Sequence, residues 1–366
     1  MVENDGLVQV VSPATGNKMR GGNDGVDATL SSSQVQHGNV YAASEINGVN
    51  TGAEDISLGT PVYATSTAIG NYADFNTNAA NFTADANQHS DAAKVEAKTA
   101  ISAPNNAVYG PDKSTGDATV EVNDTSYMVT NGSINSRLVQ SSSSEAMSNT
   151  SVTMHYSPSP EVYTAEATQN YYGSYSDTGG SQTHEVQQTA GGDTTARAEL
   201  YGGNVWNPTV SGTAMGNNVN IVNAGGSLDV TNLQNQTGDV QGQGYLAADQ
   251  YSTAIVKASG VGNSVLAGNN DVTLHLDNTQ VSSGGVEVAA TFEGNSGYDS
   301  YITANAVGNQ AIAYACSECK ADMNVSNNQT NNSDVTASAT GTVTSGRSVV
   351  STASATGNSA LFYVSR

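Results

Sequence analysis

Few residues in this 366-residue chain are equipped for chemistry, and their spacing decides what each could do. Cys316 and Cys319 form a single Cys-x-x-Cys pair. Two thiols with no paired histidine and no second such pair leave a four-ligand Zn²⁺ site incomplete. A redox-active pair belongs at a helix N-terminus in a βαβ setting, and no such pattern surrounds it. The expected role is a small disulfide closing a bend, with little entropic effect because its loop is short. The run Gly21 to Leu30, GGNDGVDATL, is similar to the Gly/Asp nonapeptide that binds Ca²⁺ in β-rolls, with Asp24 and Asp27 as ligands. That motif works by repetition and occurs here once, so an Asp/Gly-rich turn is the default and no other cofactor is called for.

The histidines, His37, His89, His155, His184 and His275, are scattered and read as surface or strand residues. None stands in a metalloprotease motif or beside a candidate nucleophile. Glycoside cleavage needs two carboxylates set across a sugar. The 33 acidic residues lie mostly in Asp/Asn/Gly turns, and basic residues that could assist a lyase are few. No catalytic residue is assigned, and the chain is read as non-enzymatic. Aromatics concentrate at Tyr163, Tyr171, Tyr172 and Tyr175, with the lone Trp206 nearby. They have two readings: stacking on sugars or a partner, or filling a core at strand ends.

Composition limits the elements that can hold these residues. Charged residues are 12% and aromatics 6%, so the 37% hydrophobic fraction rests on small side chains. A thick Leu/Phe core is unavailable, whereas thin cores of stacked Ala and Val suit coiled β structure. With 33 acidic residues against 11 basic ones, phosphate-rich partners are disfavoured, because nucleic-acid binding depends on Lys/Arg neutralising phosphates. The net charge of -22 serves solubility and would attract cations or a partly cationic polymer. No apolar run is long enough to span a bilayer as a helix. The N-terminal Met1-Val2-Glu3-Asn4-Asp5 has no signal-peptide character, and the Thr/Asn/Ser-rich composition predicts an exported chain whose Met1 replaces a removed leader.

The strongest pattern is a repeat. Asn17, Asn71, Asn123, Asn170, Asn217, Asn263, Asn309 and Asn358 follow one another at gaps of 54, 52, 47, 47, 46, 46 and 49 residues. Gly precedes six of the eight, with Val122 and Gln169 as exceptions. A companion glutamine follows 17 to 20 residues later, at Gln34, Gln88, Gln140, Gln188, Gln236, Gln280 and Gln329. Within a unit the periodicity is two, as in Val120-Glu121-Val122, and helix signals are nearly absent. The helix-like composition of Asp91 to Lys98 is still assigned to a third strand.

The expected fold is all-β: a β-solenoid of about seven units of ~49 residues, each with three strands of roughly five to eight residues. The alternative is an elongated β-sandwich. A single repetitive domain spans 1–366, with units 12–65, 66–117, 118–164, 165–210, 211–257, 258–303, 304–350 and a partial 351–366. Gly-Asn is expected to end the first strand at a bend with φ > 0. The Asn and Gln side chains are expected to stack as hydrogen-bonded ladders along the axis. Pro61, Pro104, Pro111, Pro158, Pro160 and Pro208 are expected between strands, and Gly48 to Thr60 and Ala103 to Gly116 as projecting loops.

Gly70-Asn71-Tyr72-Ala73, Gly308-Asn309-Gln310-Ala311 and Gly357-Asn358-Ser359-Ala360 echo curli-type Gly-x-Asn-x-Ala…Gln repeats, at about twice their period. With the Ala315-Cys316-Ser317-Glu318-Cys319 segment and the Thr/Ala/Asn-rich whole, the chain resembles the holdfast anchor protein D family of stalked bacteria. That resemblance implies export through a curli-like pore and display on the extracellular face of the outer membrane. It also implies companion anchor proteins and tethering of adhesive polysaccharide, with no catalytic residues. A β-helical polysaccharide-degrading enzyme and a self-assembling fibre subunit are the competing readings. The open edge of the last half-unit leaves room for a homo-oligomer.

Overall fold

The computed structural model describes residues 8–47, 57–58, 62–108, 114–158, 160–177, 180–271, 273–315 and 322–364. Among them every regular element is a β-strand, and every pairing is parallel. First strands are β1 (Val8–Asp24), β5 (Val62–Asn78), β8 (Ser114–Thr130), β11 (Glu161–Ser176), β14 (Pro208–Asn223) and β21 (Ser348–Val364). Second strands are β2 (Ala28–Gln36), β6 (Phe82–Ser90), β9 (Ile134–Ser142), β12 (Gln182–Ala190), β15 (Ser227–Gln236), β17 (Thr273–Ser282) and β19 (Asp322–Asn331). Third strands are β3 (Val40–Asn47), β7 (Lys94–Val108), β10 (Glu145–Ser157), β13 (Thr194–Val205) and β20 (Val335–Ser345). In β16 (Val240–Asn269) and β18 (Val286–Ala315) a third strand runs straight into the next first strand. The two-residue β4 (Ser57–Leu58) pairs with the end of β7.

Each strand pairs with its counterpart one unit further along the chain, so Val210 faces Val256, Gln188 faces Gln234 and Asn71 faces Asn123. Parallel strands need crossovers, and here the other two strands of the unit supply them. This pairing sets aside a sandwich of hairpins, whose consecutive strands would run antiparallel. Inward positions carry Ala, Val and Ser, as in Val62, Ala64, Ser66 and Ala68 of β5. Small side chains let facing walls approach closely, so there are two thin cores rather than one thick one. One lies between the N-terminal halves of the first strands and the third strands. The other lies between their C-terminal halves and the second strands. In the second core an aromatic column runs through Phe75, Phe82, Tyr127, Tyr172 and His184, with neighbouring rings 4.4 to 5.7 Å apart.

Several local expectations need correction. Apart from β4, strands run from 8 to 17 residues and reach 30 where two merge, because the chain turns corners without leaving the sheet. Gly-Asn lies inside the first strand rather than at its end. Pairing skips the residue before each Asn, and the alternation of inward and outward side chains shifts phase there. No landmark Gly or Asn has positive φ. Gly is needed for closeness instead: a Cβ on Gly70, Gly216 or Gly308 would sit 2.5 Å from a carbonyl oxygen of the next unit. Where Gln169 replaces Gly, its amide donates to the carbonyls of Ser144, Gly192 and Asp193 in neighbouring turns.

Pro104 lies inside β7 and Pro208 opens β14, rather than between strands. The expected loop Ala103 to Gly116 is largely strand, since β7 reaches Val108 and β8 begins at Ser114. Lys94 to Lys98 open β7, after a turn at Asp91 to Ala93. Apart from β4, the expected loop Gly48 to Thr60 lies outside the described residues.

Candidate functional site

The most connected polar assembly is a double amide ladder between the two cores. Each landmark Asn donates from Nδ2 to Oδ1 of the next: Asn17 to Asn71, then Asn123, Asn170, Asn217, Asn263, Asn309 and Asn358, at 2.7 to 2.8 Å. The second N–H of each donates to a carbonyl on its own unit's second strand, such as Asn71 to His89 O at 3.0 Å and Asn217 to Asn235 O at 2.9 Å.

The glutamines form the other ladder with opposite polarity. Gln88 donates to Gln34, Gln140 to Gln88, Gln188 to Gln140, Gln234 to Gln188, Gln280 to Gln234 and Gln329 to Gln280, at 2.7 to 2.8 Å. Their second N–H reaches the carbonyl after the next unit's Asn, as in Gln140 to Tyr171 O at 2.8 Å. Flipping any amide would aim its oxygen at one of these carbonyls, so the carbonyls set the polarity of both ladders.

Gln236 is not a rung; Gln234 takes that place. Gln236 accepts from Ser282 Oγ at 2.6 Å and donates to Gly238 O in the following turn. Spacing could have found this, because Gln234 stands 17 residues after Asn217, the same interval as Gln34, Gln88, Gln140 and Gln280 from their asparagines. A shorter ladder, Asn232 to Asn278 to Asn327 at 2.7 Å, lies one inward position away and was not anticipated from the sequence.

Buried titratable groups mark a second cluster. His184 lies in the aromatic column, its Nδ1 2.7 Å from Ser136 Oγ and 2.8 Å from Tyr172 OH. Its Nε2 is 2.7 Å from Gln182 Oε1, an atom that can only accept, so Nε2 carries the proton. Burial pushes its pKa down to about 3, leaving a neutral imidazole with no route to solvent. On β8, burial raises both Glu121 and Asp124, the latter to about 8, and the two carboxyls hydrogen-bond and repel as charges. Glu161 sits in the interior beside the Ser157 and Tyr163 hydroxyls, and burial pushes it up to about 7.

The other sequence candidates are dispersed. Cys316 and Cys319 lie outside the described residues. Asp24 accepts from Asn78 Nδ2 at 2.9 Å and Asp27 from the Asn81 backbone N–H at 2.8 Å, so each ties down the next unit's turn. Among the described residues no group of three His, Cys, Asp or Glu is placed to hold a metal. Tyr163 and Tyr172 are fully buried and cannot be contact residues. Their parity explains this: Tyr163 shares its face with Ala165 and Ala167, and the phase shift at Asn170 turns Tyr172 inward. Tyr171 is half-buried, while Tyr175 and Trp206 are exposed and border separate shallow depressions.

A surface groove of about 610 Å³ runs along the third strands and was not anticipated from the sequence. These strands bend where pairing skips one residue per unit, and the skipped residues His155, Gly203, Asp249, Asn295 and Thr344 line the groove on successive rungs. Tyr201 lies on one wall, its ring 5.3 Å from that of Tyr245, whose hydroxyl donates to Glu293 at 3.0 Å. No Lys or Arg lines it.

A family model for holdfast attachment protein D matches residues 2–285. The chain belongs to the holdfast attachment protein D family. Membership in this family assigns it to holdfast attachment. Neither the curated proteins nor the solved structures contain a match.

Proposed function

We propose that the chain is a non-enzymatic surface anchor, a β-solenoid of seven stacked coils of about 49 residues with a final first strand. In this reading it sits on the extracellular face of the outer membrane and ties adhesive polysaccharide to the envelope through partner anchor proteins. The observation that carries the reading is the unbroken double ladder: the buried amides are engaged in joining coil to coil, which suits a load-bearing rod. The buried histidine is neutral and enclosed, unsuited to general base work on an outside substrate.

The groove along the third strands is the surface we assign to polysaccharide. Its rungs repeat at about 4.8 Å, close to one sugar residue of an extended chain, and Tyr201 offers an aromatic face. Asp249 and Glu293 favour a polymer bearing free amino groups. Retention of purified holdfast polysaccharide on the immobilised chain tests this. Replacing Tyr201 and Tyr245 together with Ala is expected to weaken retention several-fold, and added salt to weaken it further. Unchanged retention in the double variant would move the site elsewhere, and undiminished retention at high salt would remove the electrostatic argument. Release of reducing ends would instead favour a β-helical hydrolase.

A further inference from the structure

The depression beside Trp206 begins one residue further along the same strands than the groove: Asn204 follows Gly203, Gln250 follows Asp249 and Ser296 follows Asn295. It encloses about 300 Å³, the low end for a small-molecule site. Trp206 and Tyr298 both line it and are 45% and 57% exposed. They share one column. Val205, Tyr251 and Gly297 pair on successive rungs, and Trp206, Ser252 and Tyr298 are the residues that follow them. Two rungs separate the aromatic residues, about 9.6 Å between their backbones. Ser252 between them is too small to fill the gap. Its hydroxyl is spent on Asn207, accepting from the backbone N–H and donating to Oδ1, both at 2.8 Å. Tyr251 lies beneath, buried edge-on against Phe292 at 4.9 Å. Arg347 comes from the rung beyond Tyr298, is paired with Asp299, and lies over the Tyr298 ring at 5.7 Å.

We propose that Trp206 and Tyr298 form a clamp for a single neutral pyranose ring, a sugar subsite separate from the groove. The class of ligand rests on the polysaccharide reading; the site rests on its own geometry. A flat ring held between two others needs two contacts of about 3.5–4.0 Å, so about 7–8 Å in all. The gap is wider than that and suits a puckered sugar, whose axial hydrogens thicken both of its faces. Those polarised C–H groups meet the negative faces of the aromatic rings. A pyranose with all its substituents equatorial presents such hydrogens on both sides. Asn204, Gln250 and Ser296 border the depression and offer amide and hydroxyl partners for the sugar hydroxyls at the ring edge. No charged residue lines it among the described residues, so the ring it takes is neutral. The groove, with Asp249 and Glu293, favours amino groups instead. With Ser252 alone between the aromatics, the clamp is one ring deep.

Trp206 is the only tryptophan of the chain, so its fluorescence reports the clamp alone. Titration of the full chain with cellobiose and with cellohexaose is expected to move the emission saturably to shorter wavelength. The two midpoints should agree, because one ring is held, and added salt should leave them unchanged. Tyr298→Ala, at an exposed position, is expected to raise the midpoint about tenfold or more. Ser252→Phe fills the gap and is expected to abolish the response with an unchanged circular dichroism spectrum. Tyr201→Ala combined with Tyr245→Ala is expected to leave the response as in wild type, so failure of the groove and failure of the clamp are read separately. No saturable shift with either sugar overturns the proposal. So does a shift that Tyr298→Ala leaves unaltered, or one that salt abolishes. Polysaccharide retained by a chain whose Trp206 does not respond would remove the clamp and leave the groove standing.

Discussion

An asparagine in the middle of the ladder has more to lose than one at its end. Asn170 accepts from Asn123 and donates to Asn217 and to Thr189 O. Asn170→Ala strands three buried groups, and each costs about 1–3 kcal/mol when left unpaired. Asn358→Ala strands fewer, at an edge that water reaches. Urea unfolding is expected to show a loss of roughly 3 kcal/mol or more for the first and under about 1 for the second. Equal losses would mean that the ladder bonds do not cooperate. The buried ionisable groups give a pH dependence with a definite sign. Asp124 and Glu161 have folded pKa values raised to about 8 and about 7, so their contribution is complete at acid pH and is lost as pH rises through those values. His184, lowered to about 3, acts oppositely, with stability lost as pH falls from its unfolded value near 6.5 towards about 3. Two carboxyls outweigh one imidazole between these limits, so the melting temperature is expected to be higher near pH 5 than at pH 8. Asp124→Asn should shrink that difference, and thermal melts at the two values check both claims.

At the scale of the strand, the corner glycines carry a separate expectation. Gly262→Ala places a Cβ 2.6 Å from Gly308 O, where the backbone must shift, whereas Gly25 has open space but a φ of +68°. Alanine at Gly262 is expected to destabilise through crowding between coils, and alanine at Gly25 through strain in a single turn. Hydrogen exchange should show the first loosening amides in the adjacent coil and the second only local ones. Much of this scale was legible: amide side chains at a fixed interval can satisfy their donors on each other only in a stack, and alternating small residues define the walls. What was hidden came from the corners. A one-residue skip changes which side chains point inward, so Tyr172 is buried while Tyr171 beside it is only half-buried, although composition treats the two alike. Gln234 and Gln236 both point inward, and only the 17-residue interval from Asn217 marks Gln234 as the rung. Strand lengths were understated because Asn, Gly and Pro normally mark turns, and here the chain bends through such residues while staying paired. The groove was illegible for the same reason: its residues align only once coils whose Asn landmarks lie 46 to 49 residues apart are superimposed.

Among the described residues nearly all contacts join residues distant in sequence, and every strand pairing joins residues 46 to 55 apart. Folding must therefore close loops of about fifty residues before any coil is rewarded, after which each added coil meets a ready-made edge. The parallel register between coils has a mechanical side as well. A pull along the axis, applied to the faces of the stack, loads all the strand pairings of a junction at once. A pull on one chain end instead peels the terminal coil bond by bond. Each peeled coil frees 46 to 54 residues, the interval between ladder asparagines, and so pays out about 150–190 Å of slack. The same rod is thus stiff when gripped by its faces and a stepwise shock absorber when held by an end.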